Sequence, residues 1–305
     1  MREEKPAEDS QESPCNGIDK PYHVPVMADE VAEFFAGGLN EGLLVDGTAG
    51  AGGHLEMLSR ALPRMSFLAV DRDPAAVSIL RSRFSDNPDI TVRQGSYTEI
   101  PEIINELGLR KASAALFDLG LSSIQLDDPS RGFSYRYEGP LDMRFDDSTG
   151  KTAAELLNGI SEKEIADIIY KYGEEGRSRR IAKAIARNRP VNTTLELAEI
   201  INTSIRSRRN SFKILSRVFQ ALRIAVNGEL DQLERLIDGL EGWTEVGARI
   251  AFITFHSIED RKIKLLFRDT PGYRQHSPRW VVPGEDEVRK NSRARSARLR
   301  MGIRT

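Results

Sequence analysis

Four polar residues of this chain follow short apolar runs that have the length and composition of buried strands. Asp46, Asp71 and Asp118 each end such a run, and His256 follows another. Carboxylates accept hydrogen bonds from hydroxyl and amino groups, and a neutral imidazole has one acceptor nitrogen. Because ligands of open α/β sheets bind beyond the carboxyl ends of the strands, these four residues predict one binding site.

A glycine-rich turn, residues 47–53, follows the first of these runs. Such a turn lets the backbone approach a ligand, and the next helix offers free N–H groups. The turn lacks the Gly-Lys-Ser/Thr end of a P-loop, and Leu55 occupies the position where a dinucleotide fingerprint beginning at Gly50 and Gly52 needs its last glycine. S-adenosylmethionine, which has no phosphate, is the third cofactor that uses this device. A tight strand–helix turn without a ligand stays an alternative.

The second acid suits the same cofactor. Asp71 lies 25 residues after Asp46, which is the spacing expected of an acid that accepts hydrogen bonds from two ribose hydroxyls. Asp118 is followed by Leu-Gly-Leu-Ser-Ser, so the end of the fourth strand would complete the site.

The elements that position these residues alternate between strand and helix as far as Asp118. Continuous apolar strands that alternate with helices predict an α/β fold, a parallel sheet covered on both faces. Asp73 and Pro74 predict the N-cap and first residue of one of the helices.

A different pattern follows. A long polar loop, residues 120–150, precedes several helices, of which two begin with the capping boxes Ser161/Glu164 and Thr193/Glu196. The strand pattern resumes near residue 248, and Ser257 is the predicted cap of the next helix. We therefore expect a disordered leader (1–21), a discontinuous α/β domain (22–130 and 222–305) and an inserted helical substrate-recognition domain (131–221).

Composition limits the class of protein. Of the 305 residues, 39% are apolar and 30% are charged, as in globular domains. No apolar stretch approaches the roughly 18 residues of a membrane helix, so we expect no membrane span and a cytoplasmic protein. The single cysteine, Cys15, excludes an internal disulfide. The histidines lack metal-ligand spacing, so we expect no metal site.

The net charge of −2 conceals two basic segments. Residues 177–223 contain 12 Lys/Arg and 2 Asp/Glu, and residues 289–305 contain 7 Lys/Arg and no acid. A solvated face and a loose tail would account for one such run. Two Arg-rich runs in a nearly neutral protein favour a polyanionic partner.

Nine segments together resemble the bacterial ribosomal RNA small-subunit methyltransferase H family, also called MraW, over about residues 22–305. The matching segments are residues 23–26, 46–54, 71–74, 118–127, 131–134, 139–144, 219–224, 255–261 and 293–296. The resemblance implies a Rossmann-like S-adenosylmethionine-dependent methyltransferase domain with an inserted helical domain. It also implies methylation of the exocyclic N4 amine of one cytidine in the decoding region of 16S ribosomal RNA, within the small ribosomal subunit.

Site residues follow from the matching motifs. The cofactor contacts implied by the resemblance are Gly52, Gly53, His54, Asp71, Tyr97, Asp118 and Gln125, with Tyr97 where the family pattern has phenylalanine. Candidate catalytic acceptors for the amine hydrogens are Asp118 and His256. The turn after Asp118 has no aromatic, so the stacking partner of the base is expected among Phe133, Tyr135 and Phe145. Candidate RNA contacts are Arg206, Arg208, Arg209, Arg293 and Arg295.

Three other functions stay open on the sequence alone. An RNA-binding assembly factor could keep the fold without the reaction, and cofactor binding would separate the two. A nucleotide-dependent oxidoreductase is disfavoured by Leu55, and a small-molecule methyltransferase by the basic segments. A homodimer is a further open alternative.

Overall fold

The computed structural model of the protein describes residues 25–205 and 211–305. The predicted leader and the predicted RNA contacts Arg206, Arg208 and Arg209 lie outside the described residues. The strands are β1 (Gly42–Asp46), β2 (Met65–Asp71), β3 (Ile90–Gln94), β4 (Ala112–Asp118), β5 (Thr244–Thr254), β6 (Tyr273–Gln275) and β7 (Arg298–Arg304). The helices are α1 (Ala28–Ala36), α2 (Gly53–Ala61), α3 (Pro74–Arg83), α4 (Ile100–Glu106), α5 (Ser123–Asp127), α6 (Ala153–Gly159), α7 (Glu162–Gly173), α8 (Ser178–Arg187), α9 (Thr194–Ser204), α10 (Ser211–Asn227), α11 (Glu229–Trp243), α12 (Ser257–Asp269) and α13 (Glu285–Lys290).

The strands form one sheet in the order β3-β2-β1-β4-β5-β7-β6. Strands β1 to β5 run parallel to one another, whereas β7 is antiparallel to both β5 and β6. The predicted α/β fold class is therefore confirmed. The strand order reverses at β1 and β4, and ligands of such sheets bind beyond the carboxyl ends at this switch point. Asp46, Asp71 and Asp118 end β1, β2 and β4 along this one edge.

Both faces of the sheet are buried. Leu44, Phe67 and Leu116 belong to the apolar core on one face, while their chain neighbours Val45 and Phe117 belong to the core on the other. Successive side chains of a strand point to opposite faces. Continuous apolar strands are thus required here, because each strand supplies two cores at once.

The helices α6 to α10 form a core of their own, called the second core because the two layers on the sheet count together as the first. Phe133, Leu141 and Met143 of the polar loop also pack into it. The predicted boundary between residues 221 and 222 falls inside the single helix α10. We propose that α10 joins the two parts of the protein, since its first turns pack in the second core and its last turn lines the cavity described below.

Local signals at the helix ends explain where several of these helices begin. The Asp73 side chain accepts a hydrogen bond from the Ala75 N–H at 3.0 Å, and Pro74 is the first residue of α3. The predicted capping boxes of α7 and α9 are both present. Ser257 as the cap of α12 was the wrong prediction. His256 is the cap, because its Nδ1 accepts the Glu259 N–H at 3.4 Å.

Within residues 25–205 and 211–305, every helix is too short or too polar to cross a bilayer.

Candidate active site

A cavity of about 430 Å³ opens beyond the carboxyl ends of β1, β2 and β4. Several side chains that the sequence did not single out line it: Asn227, Glu229, Glu259 and Arg223. The predicted residues in its wall are Gly53, His54, Asp71, Tyr97, Asp118, Gln125 and Arg293. Asp46, Gly52, His256 and Arg295 are absent from the described wall.

The glycine turn is closed by the acid at the end of β2. Asp71 accepts the Gly50 N–H at 2.7 Å and the Asp73 N–H at 2.9 Å, one on each carboxylate oxygen. Gly50 has a φ of +52°, in the region that favours glycine. Burial raises the pKa of Asp71 to about 6. Each oxygen has a further lone pair, so the carboxylate can still accept hydrogen bonds from ligand hydroxyls.

Gly52 allows close packing behind the glycine turn. Its φ is +83°, and a Cβ atom there would lie 2.6 Å from the Phe84 ring and 2.9 Å from Leu80. The absence of a side chain therefore lets α2 pack against the end of α3. The structure places Gly52 in this packing contact rather than in the cavity wall, and its role as a cofactor contact stays a prediction.

Asp118 has an unused acceptor. Its Oδ1 atom is buried and has no hydrogen-bond partner among the described residues, while a quarter of the side chain is exposed, at 25%. Its Oδ2 atom lies 3.8 Å from Nδ1 of His54, too far for a hydrogen bond. A buried acceptor without a donor costs free energy, which a ligand that donates a hydrogen bond would recover.

His54 presents a second acceptor to the same place. Its Nε2 atom lies 2.9 Å from the Val26 carbonyl oxygen, so Nε2 is the donor nitrogen. Burial lowers the pKa of His54 to about 4, which keeps the ring neutral. The lone pair on Nδ1 therefore faces Asp118.

The cavity edge concentrates carboxyl groups. Burial, together with the charges of Asp46 and Glu259, raises the pKa of Asp118 to about 8. Burial likewise raises the pKa of Asp46 to about 7, although its Oδ1 accepts the Thr48 N–H at 3.2 Å. A positively charged ligand would stabilise the ionised forms. The residues present therefore fit S-adenosylmethionine, which carries a sulfonium and an ammonium group.

A buried ion-pair network forms the wall beside Tyr97. Arg223 donates two hydrogen bonds of 2.8 Å to the carboxylate of Glu229, and Glu259 lies 4.0 Å from the same guanidinium. The Tyr97 hydroxyl lies 3.5 Å from the Glu229 carbonyl, and its ring packs edge-on against Phe117. The contacts with this carbonyl and with Phe117 fix the position of the Tyr97 ring beside the ion pairs.

His256 belongs to this network and not to the described cavity wall. Its Nδ1 accepts a backbone hydrogen bond at the start of α12, so Nε2 carries the proton of the neutral ring. Nε2 lies 2.9 Å from Oε1 of Glu259, although the angle is unfavourable for a hydrogen bond. Neither ring nitrogen is available as an acceptor for a substrate amine in this conformation.

The polar loop is tied to the cofactor side of the sheet by Asp73. Arg131 Nη1 donates to Asp73 at 2.9 Å, and Gln125 Nε2 donates to the same oxygen at 3.0 Å. Gln125 Oε1 accepts the Ser122 N–H at 3.1 Å. Gln125 therefore lines the cavity while its amide group holds the loop in place.

Of the three aromatic candidates for stacking on the base, Phe145 lines the cavity. Its backbone N–H donates to Asn227 Oδ1 at 2.8 Å, and its ring stacks on buried Phe133 at 5.9 Å. Tyr135 packs instead against Phe219 on α10. Phe145 is thus the candidate that the structure brings to the site.

Two predicted RNA contacts fall among the described residues. Both lie in the 3₁₀ turn Ser292–Ser296, where Arg293 lines the cavity and forms an ion pair with Asp127 and Arg295 is exposed. Helix α8 adds four exposed cations opposite its buried face: Arg179, Arg180, Lys183 and Arg187.

Comparison with known proteins decides the family. Residues 20–304 match the family model described as the MraW methylase family. The chain belongs to this family. The prediction of a methyltransferase is therefore confirmed, and the oxidoreductase alternative is excluded.

Curated relatives agree over nearly their full length. The protein named ribosomal RNA small subunit methyltransferase H in Coprothermobacter proteolyticus is 41% identical, with 92% of this chain and 95% of the relative covered. The protein of the same name in Sorangium cellulosum is 43% identical, with 92% and 90% covered. That of Thermosipho africanus is 40% identical, with 92% and 97% covered.

The carboxyl cluster makes stability depend on pH. The folded-state pKa of Asp118, about 8, lies above its ordinary value of 3.8. Its protonation therefore stabilises the fold fully below about pH 4, and this contribution is lost as the pH rises through 8. Without cofactor, Asp118→Asn should gain stability relative to wild type by more than about 1 kcal/mol between pH 5 and pH 8.5. Urea unfolding of both proteins at the two pH values measures this, and a difference that does not change with pH would contradict it.

Proposed function

We propose that the protein transfers the methyl group of S-adenosylmethionine to the exocyclic N4 amine of a cytidine in the decoding region of 16S ribosomal RNA. The single observation that carries the proposal is the unpaired acceptor of Asp118 in the wall of the cavity. A glycine turn of the kind that binds this cofactor lines the same cavity. Family membership and the names of the relatives support the same reaction on ribosomal RNA.

We propose that the cofactor is held by three parts of the cavity wall. Asp71 accepts hydrogen bonds from the ribose hydroxyls, Gly53 and the rest of the turn border the amino acid end, and the Tyr97 ring packs on the adenine. When bound, S-adenosylmethionine supplies a methyl group on a positively charged sulfur. The negative charges at the strand ends complement that charge.

Asp118 positions the target amine. Its carboxylate accepts a hydrogen bond from the amine, which favours the pyramidal form and directs the nitrogen lone pair toward the methyl group. The same carboxylate takes the proton that the amine loses when it is methylated. Holding the reacting atoms in line and without water contributes much of the rate of such a displacement. Phe145 stacks on the base, which must leave its own stack to enter the cavity.

His256 is a positioning residue in this proposal, instead of the acceptor that the sequence suggested. Its ring caps α12 and contacts Glu259, which lines the cavity. Loss of the ring would release the start of α12 and the buried carboxylate together.

The basic segments hold the RNA backbone in this proposal. A guanidinium can donate two hydrogen bonds to one phosphate, and such contacts position RNA without selecting a base. Arg293 lines the cavity, and Arg295 lies two residues away on the same 3₁₀ turn. The small ribosomal subunit as the substrate particle, the cytoplasm as the location and a homodimer stay predictions.

The arginine cluster before α10 gives a prediction in salt dependence. Replacing Arg206, Arg208 and Arg209 by alanine should weaken RNA binding and flatten the slope of log affinity against log salt by up to about three units. Cofactor affinity should not change, because these residues lie outside the α/β motifs. Filter binding at several salt concentrations measures the slope.

A matched control removes the same charge elsewhere. Arg60, Arg110 and Arg268 are exposed and lie outside both basic segments. The variant with alanine at all three positions should keep a steeper slope of log affinity against log salt than the variant of Arg206, Arg208 and Arg209. Equal slopes in wild type and in the variant of Arg206, Arg208 and Arg209 would contradict the prediction.

One incubation tests the proposed reaction. The protein is mixed with cofactor labelled in its methyl group and with small ribosomal subunits that lack the modification. Label in 16S ribosomal RNA supports the proposal. Tight cofactor binding without transfer would instead favour an RNA-binding factor that has lost the reaction.

A further inference from the structure

An exposed aromatic side chain lies in the first turn of α10. Phe212 has 55% of its surface exposed, and the guanidinium carbon of Arg136 lies 5.5 Å from its ring centroid. A single exposed apolar ring is ordinary on a protein surface, so the guanidinium beside this ring is what distinguishes it. The neighbouring cation makes a polyanion with planar groups the ligand that fits best.

Neighbouring side chains fix the orientation of the Phe212 ring. Tyr135 packs edge-on against Phe212 with centroids 5.4 Å apart and an interplanar angle of 83°. Tyr135 in turn packs on buried Phe219 at 5.2 Å and shares a 2.9 Å hydrogen bond with Ser216. The orientation of Phe212 is therefore supported by the second core while much of the ring stays open.

This combination suits an unpaired nucleotide. Proteins bind single-stranded nucleic acid by stacking bases on aromatic rings and arginine planes beside positive charge. Three more arginines, Arg206, Arg208 and Arg209, stand three to six residues before Phe212 in the sequence. An apolar protein partner would not need this concentration of cations.

The same helix connects this surface to the cavity. Phe212 is in the first turn of α10, and Arg223 and Asn227 near its end line the cavity. At 1.5 Å per residue, the separation along the helix is about 17–23 Å. A strand stacked at about 3.4 Å per nucleotide covers this distance in about five to seven nucleotides.

We propose that Phe212 and Arg136 form a stacking platform for an unpaired nucleotide of the ribosomal RNA, within about seven nucleotides of the target cytidine. This inference rests on the proposed function. It names which part of the substrate, beyond the target base, the protein recognises, and it assigns that recognition to the helical part of the chain.

Two RNA ligands of different length distinguish binding at the platform from binding in the cavity. One carries ribosomal sequence for about eight nucleotides on each side of the target cytidine, and the other carries about two. Phe212→Ala should bind the long strand about tenfold more weakly than wild type does, since stacking on one ring typically contributes that much. Its affinity for the short strand and for the cofactor should be unchanged.

Two further variants sharpen the result. Phe212→Trp should keep the affinity for the long strand, and its added fluorescence should be quenched by that strand and not by the short one. Tyr170→Ala is the matched control, because Tyr170 is 65% exposed on α7 and has no cation above its ring in the described part of the chain. It should bind both strands like wild type.

The outcomes distinguish the inference from the function beneath it. The platform would be overturned if Phe212→Ala bound the long strand as wild type does, or if it lost the same affinity for both strands. Methylation by wild type would still uphold the proposed function in that case. A wild-type protein that neither binds nor methylates ribosomal RNA would overturn the proposed function, and the platform with it.

Discussion

Replacing Asp118 by alanine lowers the rate of methyl transfer by about a hundredfold or more, because a positioned proton acceptor contributes on this scale. The carboxylate is the only group in the described cavity wall whose buried oxygen lacks a hydrogen-bond partner. Asp118→Asn retains an acceptor oxygen and should keep more activity than the alanine variant. Single-turnover measurements with saturating cofactor and RNA isolate this step.

The pH profile separates the two substitutions further. In wild type, kcat/KM should rise with pH toward the free-protein pKa of Asp118, about 8, since the ionised carboxylate is the better acceptor. The asparagine variant should lose that rise. Calorimetry of cofactor binding shows whether either variant has also lost the cofactor. An alanine variant that transfers methyl groups at the wild-type rate would place the reacting amine elsewhere.

Asp71→Ala should weaken cofactor binding by about 10- to 100-fold, the effect expected from losing hydrogen bonds to a charged acceptor. Part of this loss could come from the turn itself, because Asp71 also accepts the Gly50 N–H. A cofactor analogue without the ribose hydroxyls distinguishes the two causes.

Wild type should lose affinity for that analogue, whereas the alanine variant should bind the analogue and the natural cofactor alike. This is the result expected of a double-mutant cycle in which the Asp71→Ala substitution and the loss of the ribose hydroxyls remove the same interaction. Titration calorimetry on four protein–ligand pairs provides the numbers. An equal loss for the analogue in wild type and variant would remove Asp71 from the ribose site.

Features that depend on neighbouring residues could be predicted from the sequence. Acids at the ends of apolar runs, the glycine turn and the capping boxes all reflect the local period of strands and helices. The strand ends converge because parallel strands place their carboxyl ends at one edge. Asp71 and Asp118 could therefore be assigned to one cavity before any coordinates were known, whereas Asp46, included by the same reasoning, is buried and absent from the described wall.

Contacts between distant segments could not be predicted in this way. Arg131 is 58 residues from Asp73, and Asn227 is 82 residues from Phe145. Both pairs hold the polar loop against the cavity, yet neither leaves a periodic pattern. Arg223 and Glu259 lay in segments that carried the family resemblance. The resemblance marked these segments but did not show which residues Arg223 and Glu259 contact or what they do.

Two residues show why a motif position does not settle a role. Gly52 lies in the glycine-rich turn, but a glycine is required there because a side chain would collide with Phe84. His256 follows a strand as the three acids do, but its imidazole replaces the expected Ser257 as the cap of α12. In both cases the side-chain environment comes from helices that the local sequence does not specify.

The most direct test of the account is nucleoside analysis of 16S ribosomal RNA after reaction with labelled cofactor. Small subunits lacking the modification are incubated with wild type and with Asp118→Ala, and the RNA is digested and separated by mass spectrometry. The account predicts label in N4-methylcytidine with wild type and its near absence with the variant. Label confined to another nucleoside or to another position of cytosine, or equal labelling by the two proteins, would contradict it.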